Sequence, residues 1–240
     1  TFNSIYGGED EDARITSSWK PVVIQKGPRG VLRQQIAQPV KMMEYFGVKS
    51  RHQLTPQQIA KASNAKHPIP AGTFVLDMGQ NLAGFPQIKV SGKAGQQVRL
   101  YLSETLTAQG TCNQKQSGSP YYLNYTLSGK GEKASDGKRI ETWHPHFTYY
   151  GYRYIQVEGA VMKGDENPDG KPVIEDIQSC FVYNSAAKIG SFECSNPMFN
   201  RAYQIIDRAI RSNWQAVWTD CPHREKLGWL EQDWLNGEGL

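Results

Sequence analysis

Residues 87–104 read QIKVSGKAGQQVRLYLSE, and this stretch decides the fold class. Polar and apolar side chains alternate from 87 to 91 and again from 97 to 104, which is the period of a half-buried β-strand. The residues between them, SGKAG at 91–95, have the composition of a turn. Strand, turn and strand in succession predict an antiparallel pairing.

Further strand-like segments lie on both sides of this stretch. They are 72–77, 121–127 and 152–157, and each is rich in β-branched or aromatic residues. Glycine-containing loops separate them, which is typical of antiparallel β-sandwiches. The sequence therefore predicts a mostly β domain, with the sandwich itself over residues 72–183.

Beyond residue 190 the hydrophobic period changes from that of a strand to that of a helix. Asn196 or Ser195 can cap a helix, and Pro197 suits its first turn. Apolar residues then recur at helical spacing, and they are Phe199, Tyr203, Ile206, Ile210 and Trp214. We expect a helix over residues 197–217. Because too few residues follow for a helical domain, we expect the chain to be an internal piece of a longer protein.

The first part of the chain mixes short strand-like runs with polar turns. Residues 22–24 and 31–32 flank a Gly-Pro turn, which predicts a hairpin. Thr55 can cap a short helix in which Pro56 takes the first position. The surrounding Gln, Lys, Ser and Asn residues predict an exposed connection.

Composition excludes several classes of protein. The chain has 240 residues, of which 11% are aromatic, and that share is too high for a largely disordered chain. The net charge of +4 comes from scattered basic residues that never form a run of five, which disfavours a dedicated nucleic-acid binder. No stretch approaches the ~18 apolar residues that a membrane span requires.

The four cysteines are Cys112, Cys180, Cys194 and Cys221. No two have CxxC spacing, so we expect no zinc site among them. Four cysteines are too few for a disulfide scaffold in a chain of this length, and most are expected to be small buried residues. One pair can still form a bridge, and the sequence leaves open which.

The segment 218–232, WTDCPHREKLGWLEQ, carries the chemically useful side chains. It follows the predicted helix and contains Pro and Gly, so we expect a loop. Asp220 and Glu225 lie near Arg224, with a tryptophan on each side. Such a set suits sugar cleavage, because a carboxyl can donate a proton while indole rings pack on sugar C–H surfaces. The alternative is a solvated surface loop in which Asp220 caps a turn and pairs with Arg224.

Three other groups of residues receive structural interpretations. His144 and His146 flank a proline and have no acidic ligand close by in the sequence, so we expect strand-end packing and no metal. Asp77 and Asn81 flank a glycine and are expected to make turn hydrogen bonds. The tyrosines of 149–154 are expected to lie in a strand, with a sugar platform as the alternative.

The segment 220–229, DCPHREKLGW, resembles the active-site signature of the bacterial α-L-rhamnosidases of glycoside hydrolase family 78. Four further motifs resemble others of this family and occur in the family's order. They are IYGGEDEDAR at 5–14, DMGQNLAG at 77–84, FTYYGYRY at 147–154 and FECSNP at 192–197. The five motifs span nearly the whole chain.

The resemblance implies an architecture of three regions. Residues 1–66 would be the C-terminal part of an upstream β-sandwich domain plus a linker, and 67–186 a concanavalin-like β-sandwich domain. Residues 187–240 would be the start of an (α/α)6 catalytic barrel. The expected fold class is thus mostly β, followed by the first helices of a barrel.

The resemblance also implies a function. Members of the family hydrolyse terminal α-L-rhamnosyl residues of plant glycosides and pectic glycans and invert the anomeric centre. Glu225 matches the proposed general acid, while Asp220, Arg224 and Trp229 match residues that line the rhamnose pocket. The second carboxylate would come from a later barrel loop, beyond residue 240. No cofactor, metal, nucleic acid or membrane span is implied, and family habit implies a periplasmic or secreted location.

The signature departs from the commoner family pattern at two places. Arg224 and Glu225 are adjacent here, whereas an extra acid commonly separates them. Glu231 and Gln232 stand where many members have Gly-Asp. Gln232 can still hydrogen-bond a sugar hydroxyl, and Glu231 is the runner-up acid. Two other functions stay open: a non-catalytic carbohydrate-binding β-sandwich module, or another glycosidase or lyase on an (α/α)6 barrel.

An acid catalyst at near-neutral pH requires a raised carboxyl pKa. We expect Trp218 and Trp229 to make the surroundings of Glu225 apolar and so to raise its pKa. Arg224 would oppose that shift, and we therefore expect it to point to Asp220 or to a sugar hydroxyl.

Overall fold

The computed structural model describes residues 2–16, 20–27, 29–118 and 120–237. Strands dominate the first three quarters of the chain, and the longer helix lies near the end. The strands are β1 Phe2–Ser4, β2 Gly8–Asp12, β3 Val40–Gly47, β4 Ser50–Gln53, β5 Phe74–Ser91, β6 Gln97–Ser103, β7 Tyr122–Thr126, β8 Glu132–Lys133, β9 Arg139–Trp143, β10 Tyr150–Glu158, β11 Val161–Met162 and β12 Val173–Asn184. The α-helices are α1 Pro56–Ala62, α2 Pro197–Asn213 and α3 Leu230–Asn236, and a 3₁₀ helix covers Gln114–Ser117.

The strands form one connected, curled sheet. Its order is β1-β2-β7-β6-β10-β5-β12-β11, while β3 pairs with β12, and β4 and β9 pair with β5. The sheet branches at β5 because residues 74–77 of this strand pair with both β10 and β4, while residues 88–91 pair with both β12 and β9. All pairings are antiparallel except β2 with β7 and β11 with β12. The predicted mostly β fold is therefore confirmed.

The core is built from alternate residues of these strands. In β6, for example, Val98, Leu100 and Leu102 are completely buried. Burial of each such side chain contributes about 1.5–3 kcal/mol. The largest completely buried residues elsewhere include Phe74, Tyr152, Ile155 and Phe181. This alternation is the pattern that the sequence shows at 97–104.

The predicted turn at Asp77–Asn81 is a bulge within one long strand. Tyr154 pairs with Asp77, but Tyr152 pairs with Leu82, so the residues between Asp77 and Leu82 protrude from the ladder. Gly79 has φ +77°, a conformation that a residue with a Cβ rarely adopts. The Asp77 carboxylate accepts a hydrogen bond from the Gly79 N–H at 2.7 Å, as the turn interpretation predicts. It also forms an ion pair of 2.8 Å with Arg153.

Strands from the first region belong to the same sheet. β2 pairs with β7, β3 with β12, and β4 with β5. Hydrogen bonding is therefore continuous across residue 66, where we place the boundary of an upstream domain. The division into 1–66, 67–186 and 187–240 stays a prediction.

The predicted hairpin at 22–32 is wrong for the residues described there. No strand occurs between residue 20 and β3 among the positions that the structure describes. Val22, Ile24 and Leu32 are exposed, since no sheet face covers them. An isolated two-stranded hairpin is only marginally stable in water, and this one has nothing to pack against.

Helix α1 begins as the sequence predicts. The Thr55 side chain accepts a hydrogen bond from the Gln58 N–H, and the Gln58 side chain accepts one from the Thr55 N–H. This reciprocal capping satisfies two backbone donors that would otherwise lack partners.

None of the helices in the described part of the chain has the length and apolar character of a membrane span.

Helix α2 starts where expected and ends four residues early. Asn196 caps it by accepting a hydrogen bond from the Met198 N–H, with Pro197 in the first turn. After Asn213 the chain turns so that the Trp214 and Trp218 rings stack with centroids 5.1 Å apart. The predicted apolar face is only partly covered: Phe199 and Ile206 are 56% and 57% exposed.

Helix α2 is held to the sheet by ion pairs. Glu44 of β3 binds Arg208 at 3.1 Å and Arg211 at 3.4 Å. The Asn184 N–H at the end of β12 donates to the Trp214 carbonyl at 2.8 Å. These contacts fix the end of α2, and with it the start of the segment 218–232.

Candidate active site

The segment 218–229 lies in the connection between α2 and α3, so the predicted loop is confirmed there, whereas residues 230–232 belong to α3. The backbone N–H of Asp220 donates to the Leu227 carbonyl at 3.0 Å. The Asp220 carboxylate oxygen Oδ1 accepts hydrogen bonds from the N–H groups of Cys221 at 2.8 Å and Leu227 at 3.0 Å. Asp220 therefore closes a compact loop between residues 220 and 227.

Asp220 also positions Trp229. Its second oxygen, Oδ2, accepts a hydrogen bond from the Trp229 indole Nε1–H at 3.2 Å. The Trp229 ring is exposed and precedes α3, so it can offer a face to a ligand. The roles of Asp220 and Trp229 in sugar binding stay predictions.

The side chain of Glu225 is bound by two neighbours within the loop. Arg224 forms an ion pair with it, and the Cys221 thiol donates a hydrogen bond to Oε2 over 2.9 Å. The hydrogen bond from Arg224, followed by that from Cys221, lowers the pKa of Glu225 from 4.5 to about 2. Burial together with the carboxylate of Glu225 raises the pKa of the Cys221 thiol.

Two expectations about Glu225 are therefore wrong in this structure. Arg224 does not point away from it, and the pKa of Glu225 is lowered instead of raised. Trp218 stacks on Trp214, while Trp229 binds Asp220. The hydrogen bonds from the guanidinium and the thiol outweigh burial, so the pKa of Glu225 moves away from the raised value that an acid catalyst near neutral pH requires.

Lys226 is a feature of the loop that the sequence did not reveal. It has φ +55°, in the left-handed region, and its side chain is buried. Its Nζ lies 3.7 Å from the centre of the Tyr150 ring and 5.1 Å from that of Tyr149, and donates to the Ile5 carbonyl at 2.6 Å. Desolvation lowers the pKa of Lys226 to about 7.

The aromatic strand β10 supports the loop and offers no sugar platform at Tyr150. Tyr121 stacks on Tyr150 with ring centroids 3.6 Å apart, and the Lys226 ammonium also lies over the Tyr150 ring. Tyr150 and Tyr152 are almost completely buried. The strand interpretation is confirmed for Tyr150, Tyr152 and Tyr154, whereas Tyr149 lies just before β10. The sugar-platform alternative is wrong for Tyr150 and Tyr152.

The loop is docked on β10 at a glycine. The Gly151 N–H donates to the Pro222 carbonyl at 2.9 Å. A Cβ at position 151 would lie 2.7 Å from Cγ of Pro222, 2.8 Å from Oε1 of Glu104 and 3.2 Å from Cβ of His223. Only glycine allows this approach without a shift of its neighbours. His223 Nδ1 lies 3.5 Å from Oε2 of Glu104, which adds a polar contact to the same junction.

The N-terminal strands also contact the loop. The Tyr6 hydroxyl donates to the Glu225 carbonyl at 2.9 Å, beside the contact between Lys226 and Ile5. Pairs separated by more than 200 positions leave no local signal in the sequence. The loop is therefore held from three directions: by α2, by β10 and by the turn between β1 and β2.

The remaining candidate residues lie on α3. Glu231 is exposed in its first turn, and the Gln232 N–H donates to the Trp229 carbonyl at 3.0 Å. Both stay predictions for acid catalysis and sugar binding, respectively. Asp220, Cys221 and Glu225 also place three possible metal-ligand atoms within 4.8 Å of one another. The loop's own hydrogen bonds account for these three side chains, so they give no reason to assign a metal.

All four cysteines are free thiols. Cys112 and Cys180 are buried, and desolvation raises the pKa of Cys112 to about 12. The expectation of buried residues is thus met for two of the four.

Family models match two stretches of the chain. Residues 67–183 match the family model described as the bacterial α-L-rhamnosidase concanavalin-like domain. Residues 187–239 match that of the bacterial α-L-rhamnosidase six-hairpin glycosidase domain. The segment 218–229 lies inside the second match.

Similar proteins are much longer than this chain. An α-L-rhamnosidase of Formosa agariphila is 29% identical over 238 residues, which cover 95% of this chain and 23% of that protein. The structure of an α-L-rhamnosidase from Dictyoglumus thermophilum superposes with a TM-score of 0.77 at 27% identity, covering 98% of this chain and 25% of that one. A Streptomyces avermitilis α-L-rhamnosidase solved with L-rhamnose gives 0.62 at 30% identity, covering 81% and 16%. The chain thus spans a quarter or less of these relatives.

Proposed function

The chain belongs to the bacterial α-L-rhamnosidases of glycoside hydrolase family 78, and from that membership we propose that it is a segment of a longer enzyme that hydrolyses α-L-rhamnosides. The match of 187–239 to a glycosidase domain supports this proposal most directly, because that match contains the carboxylates and tryptophans of 218–232. The substrates that we propose are terminal α-L-rhamnosyl residues of plant glycosides and pectic glycans.

We propose that Glu225 donates the proton to the leaving oxygen. Its present ion pair with Arg224 opposes that role, because an ionised carboxylate has no proton to give. Arg224 is more than half exposed and can turn to a sugar hydroxyl, which would remove the main cause of the lowered pKa. Binding of the substrate would then raise the pKa of Glu225 by drawing Arg224 away from it.

Glu231 is the alternative acid, since its side chain is exposed in the first turn of α3. The two candidates for the proton donor, Glu225 and Glu231, lie on opposite sides of Trp229 in the sequence. Asp220 would line the rhamnose pocket together with Trp229, which it holds by a hydrogen bond. Arg224 and Gln232 would bind sugar hydroxyls.

The mechanism that we propose inverts the anomeric centre. Inversion requires a second carboxylate about 6.5–9.5 Å from the acid to activate water. We place this general base in a later segment of the six-hairpin domain. The experiment is hydrolysis of an aryl α-L-rhamnoside by the full-length protein, followed by proton NMR. Release of β-L-rhamnose first supports inversion, whereas α-L-rhamnose first would contradict it, and no turnover would contradict the activity.

We propose a periplasmic or secreted location. Pectic glycans are too large to enter a cell intact, so an enzyme that acts on them must meet them outside the cytoplasm. Fractionation of cells that express the full-length protein tests this proposal.

A further inference from the structure

Three side chains suited to metal binding meet far from the loop that carries Glu225. Glu9 and Glu11 lie two residues apart on β2, so they share a face of the strand. His146 lies in the connection between β9 and β10. The three residues each place one possible ligand atom within 4.8 Å of the others. No acidic residue lies close to His146 in the sequence, but the fold brings two glutamates next to it.

Glu9 is the unusual member of this group. Its side chain is 1% exposed, and its Oε1 is a buried oxygen that accepts no hydrogen bond. Its other oxygen, Oε2, accepts hydrogen bonds from the N–H groups of His146 at 2.9 Å and Phe147 at 3.3 Å. Burial of a carboxylate oxygen lowers the stability of the fold unless a cation or a hydrogen-bond donor compensates it. The side-chain nitrogen Nδ1 of His146 lies 3.5 Å from Oε1, outside ordinary hydrogen-bond range.

The second carboxylate is held in position by its surroundings. Glu11 Oε2 accepts a hydrogen bond from the Trp143 indole N–H at 2.9 Å and lies 3.6 Å from His146 Nδ1. Parallel pairing of β2 with β7 fixes the strand itself. Outer hydrogen bonds of this kind orient ligands in metal sites. The group is therefore arranged before any cation arrives.

The geometry points to a cation in the middle of this group, and we propose that Glu9, Glu11 and His146 bind a transition-metal dication such as Zn²⁺ or Mn²⁺. Zinc lies about 2.0–2.2 Å from nitrogen and oxygen ligands, which puts tetrahedral ligands about 3.3–3.6 Å apart. His146 Nδ1 lies 3.5 Å from Glu9 Oε1 and 3.6 Å from Glu11 Oε2, which agrees with that spacing. Two carboxylates balance the charge of the dication, and an imidazole ligand disfavours Mg²⁺ and Ca²⁺.

The rest of the coordination sphere faces solvent. The His146 side chain is 51% exposed, so water can complete the sphere and the ion can enter without unfolding. The bound ion joins β2 to the β9–β10 connection. The same connection also contacts the turn before β2, where the Thr148 hydroxyl donates to the Ile5 carbonyl at 3.3 Å. The site is therefore a structural clamp, and its role is independent of the proposed hydrolase activity.

The proposal is tested by titrating the protein with Zn²⁺ and Co²⁺ after removal of metals with a chelator. We expect one equivalent to bind by calorimetry and the melting temperature to rise. His146→Gln and Glu11→Gln should each weaken binding at least ~10-fold, as loss of a ligand or its support does. His67→Gln is the matched control, because the exposed His67 ring contacts Tyr101 and belongs to no such group among the described residues. It should bind like the unchanged protein.

Three results would overturn the assignment. They are no binding to the unchanged protein, full binding by His146→Gln, and equal loss in His67→Gln. The Co²⁺ spectrum of the unchanged protein gives an answer even where a variant fails to fold. A sulfur-to-cobalt charge-transfer band would place the ion at a cysteine, with Cys221 as the first candidate, and contradict the proposal. Visible bands without it support nitrogen and oxygen ligands.

Discussion

Arg224 forms an ion pair with the carboxylate of Glu225, its immediate neighbour in the chain. This contact is the main cause that lowers the pKa of Glu225 to about 2. A family signature with an extra residue between the two positions would set the guanidinium at a different place relative to the acid. The adjacency of these two residues in the chain thus has a direct electrostatic consequence.

Replacement of Glu225 by Gln in the full-length protein should lower kcat/KM by ~10²–10⁴ on a rhamnoside with a poor leaving group, which is the usual contribution of general acid catalysis. The loss should be small on an activated aryl rhamnoside, because that group departs without a proton. Steady-state kinetics on both substrates measure the ratio. Equal losses on both substrates would show that Glu225 binds the substrate or supports the loop. Glu231→Gln would then be expected to show the large loss on the poor leaving group and the small loss on the activated one.

Replacement of Arg224 by Met should raise the pKa of Glu225 toward 4.5, since its main lowering cause is removed. Carbon-13 NMR of the labelled carboxyl group measures it. Because folding lowers this pKa, the ion pair stabilises the fold fully above about pH 4.5 and loses that contribution as the pH falls toward about 2. Arg201→Met, on the exposed side of α2, is the control and should leave the titration unchanged. An unaltered pKa in Arg224→Met would contradict the ion pair.

Lys226 should make the fold more stable at alkaline pH. Its pKa is lowered from 10.5 to about 7, so between these values the unfolded chain binds more protons and stability increases as the pH rises. The free energy of unfolding of the unchanged protein, minus that of Lys226→Met, should increase from pH 7 to pH 10. Urea unfolding at several pH values measures it. The exposed Lys115→Met is the control, and a flat difference for Lys226→Met would contradict the burial of a charged amine.

Gly151→Ala should loosen the loop that carries Glu225. The new methyl group would lie 2.7 Å from Pro222 and 2.8 Å from the Glu104 carboxylate, which is closer than atoms can pack. Overpacking of this kind costs about 1–3 kcal/mol of unfolding free energy. Gly47→Ala is the matched control, because a Cβ there meets nothing within 4 Å. Equal stability of the two variants, measured in urea, would argue against the tight docking.

The isolated 240-residue chain should have no useful activity on an aryl α-L-rhamnoside. The proposed general base lies outside it, and transition-state stabilisation is lost when the site is incomplete. The full-length protein assayed in parallel is the control. Comparable turnover by the isolated chain would place the second carboxylate within it, with Asp220 and Glu231 as the first residues to replace.

The sequence predicted those features that depend on local patterns. The alternation in β6 and the cap at Asn196 can be recognised from fewer than ten residues each, because strand and helix periods act over short distances. The length of β5 was missed because a bulge and a turn begin with the same residues, Asp77 to Gly79. Only the pairing partner β10 decides that the chain continues as a strand.

The sequence did not predict the contacts that decide the chemistry of the site. The position of the Arg224 side chain depends on rotamers that no periodicity records. The contact between Glu9 and His146 joins positions 137 residues apart, and that between Lys226 and Ile5 joins positions 221 apart. Such pairs become visible only once the sheet has brought the ends of the chain together.

The pairing of β3 with β12 has a consequence for how the chain is made. Val40–Gly47 leaves the ribosome long before its partner Val173–Asn184, since more than a hundred residues separate them. At a synthesis rate of about 5–20 residues per second, an apolar strand edge with two methionines stays open for roughly 5–30 s. Nascent chains in this interval are exposed to pairing with one another. Yield during expression should therefore depend on chaperone supply and growth temperature.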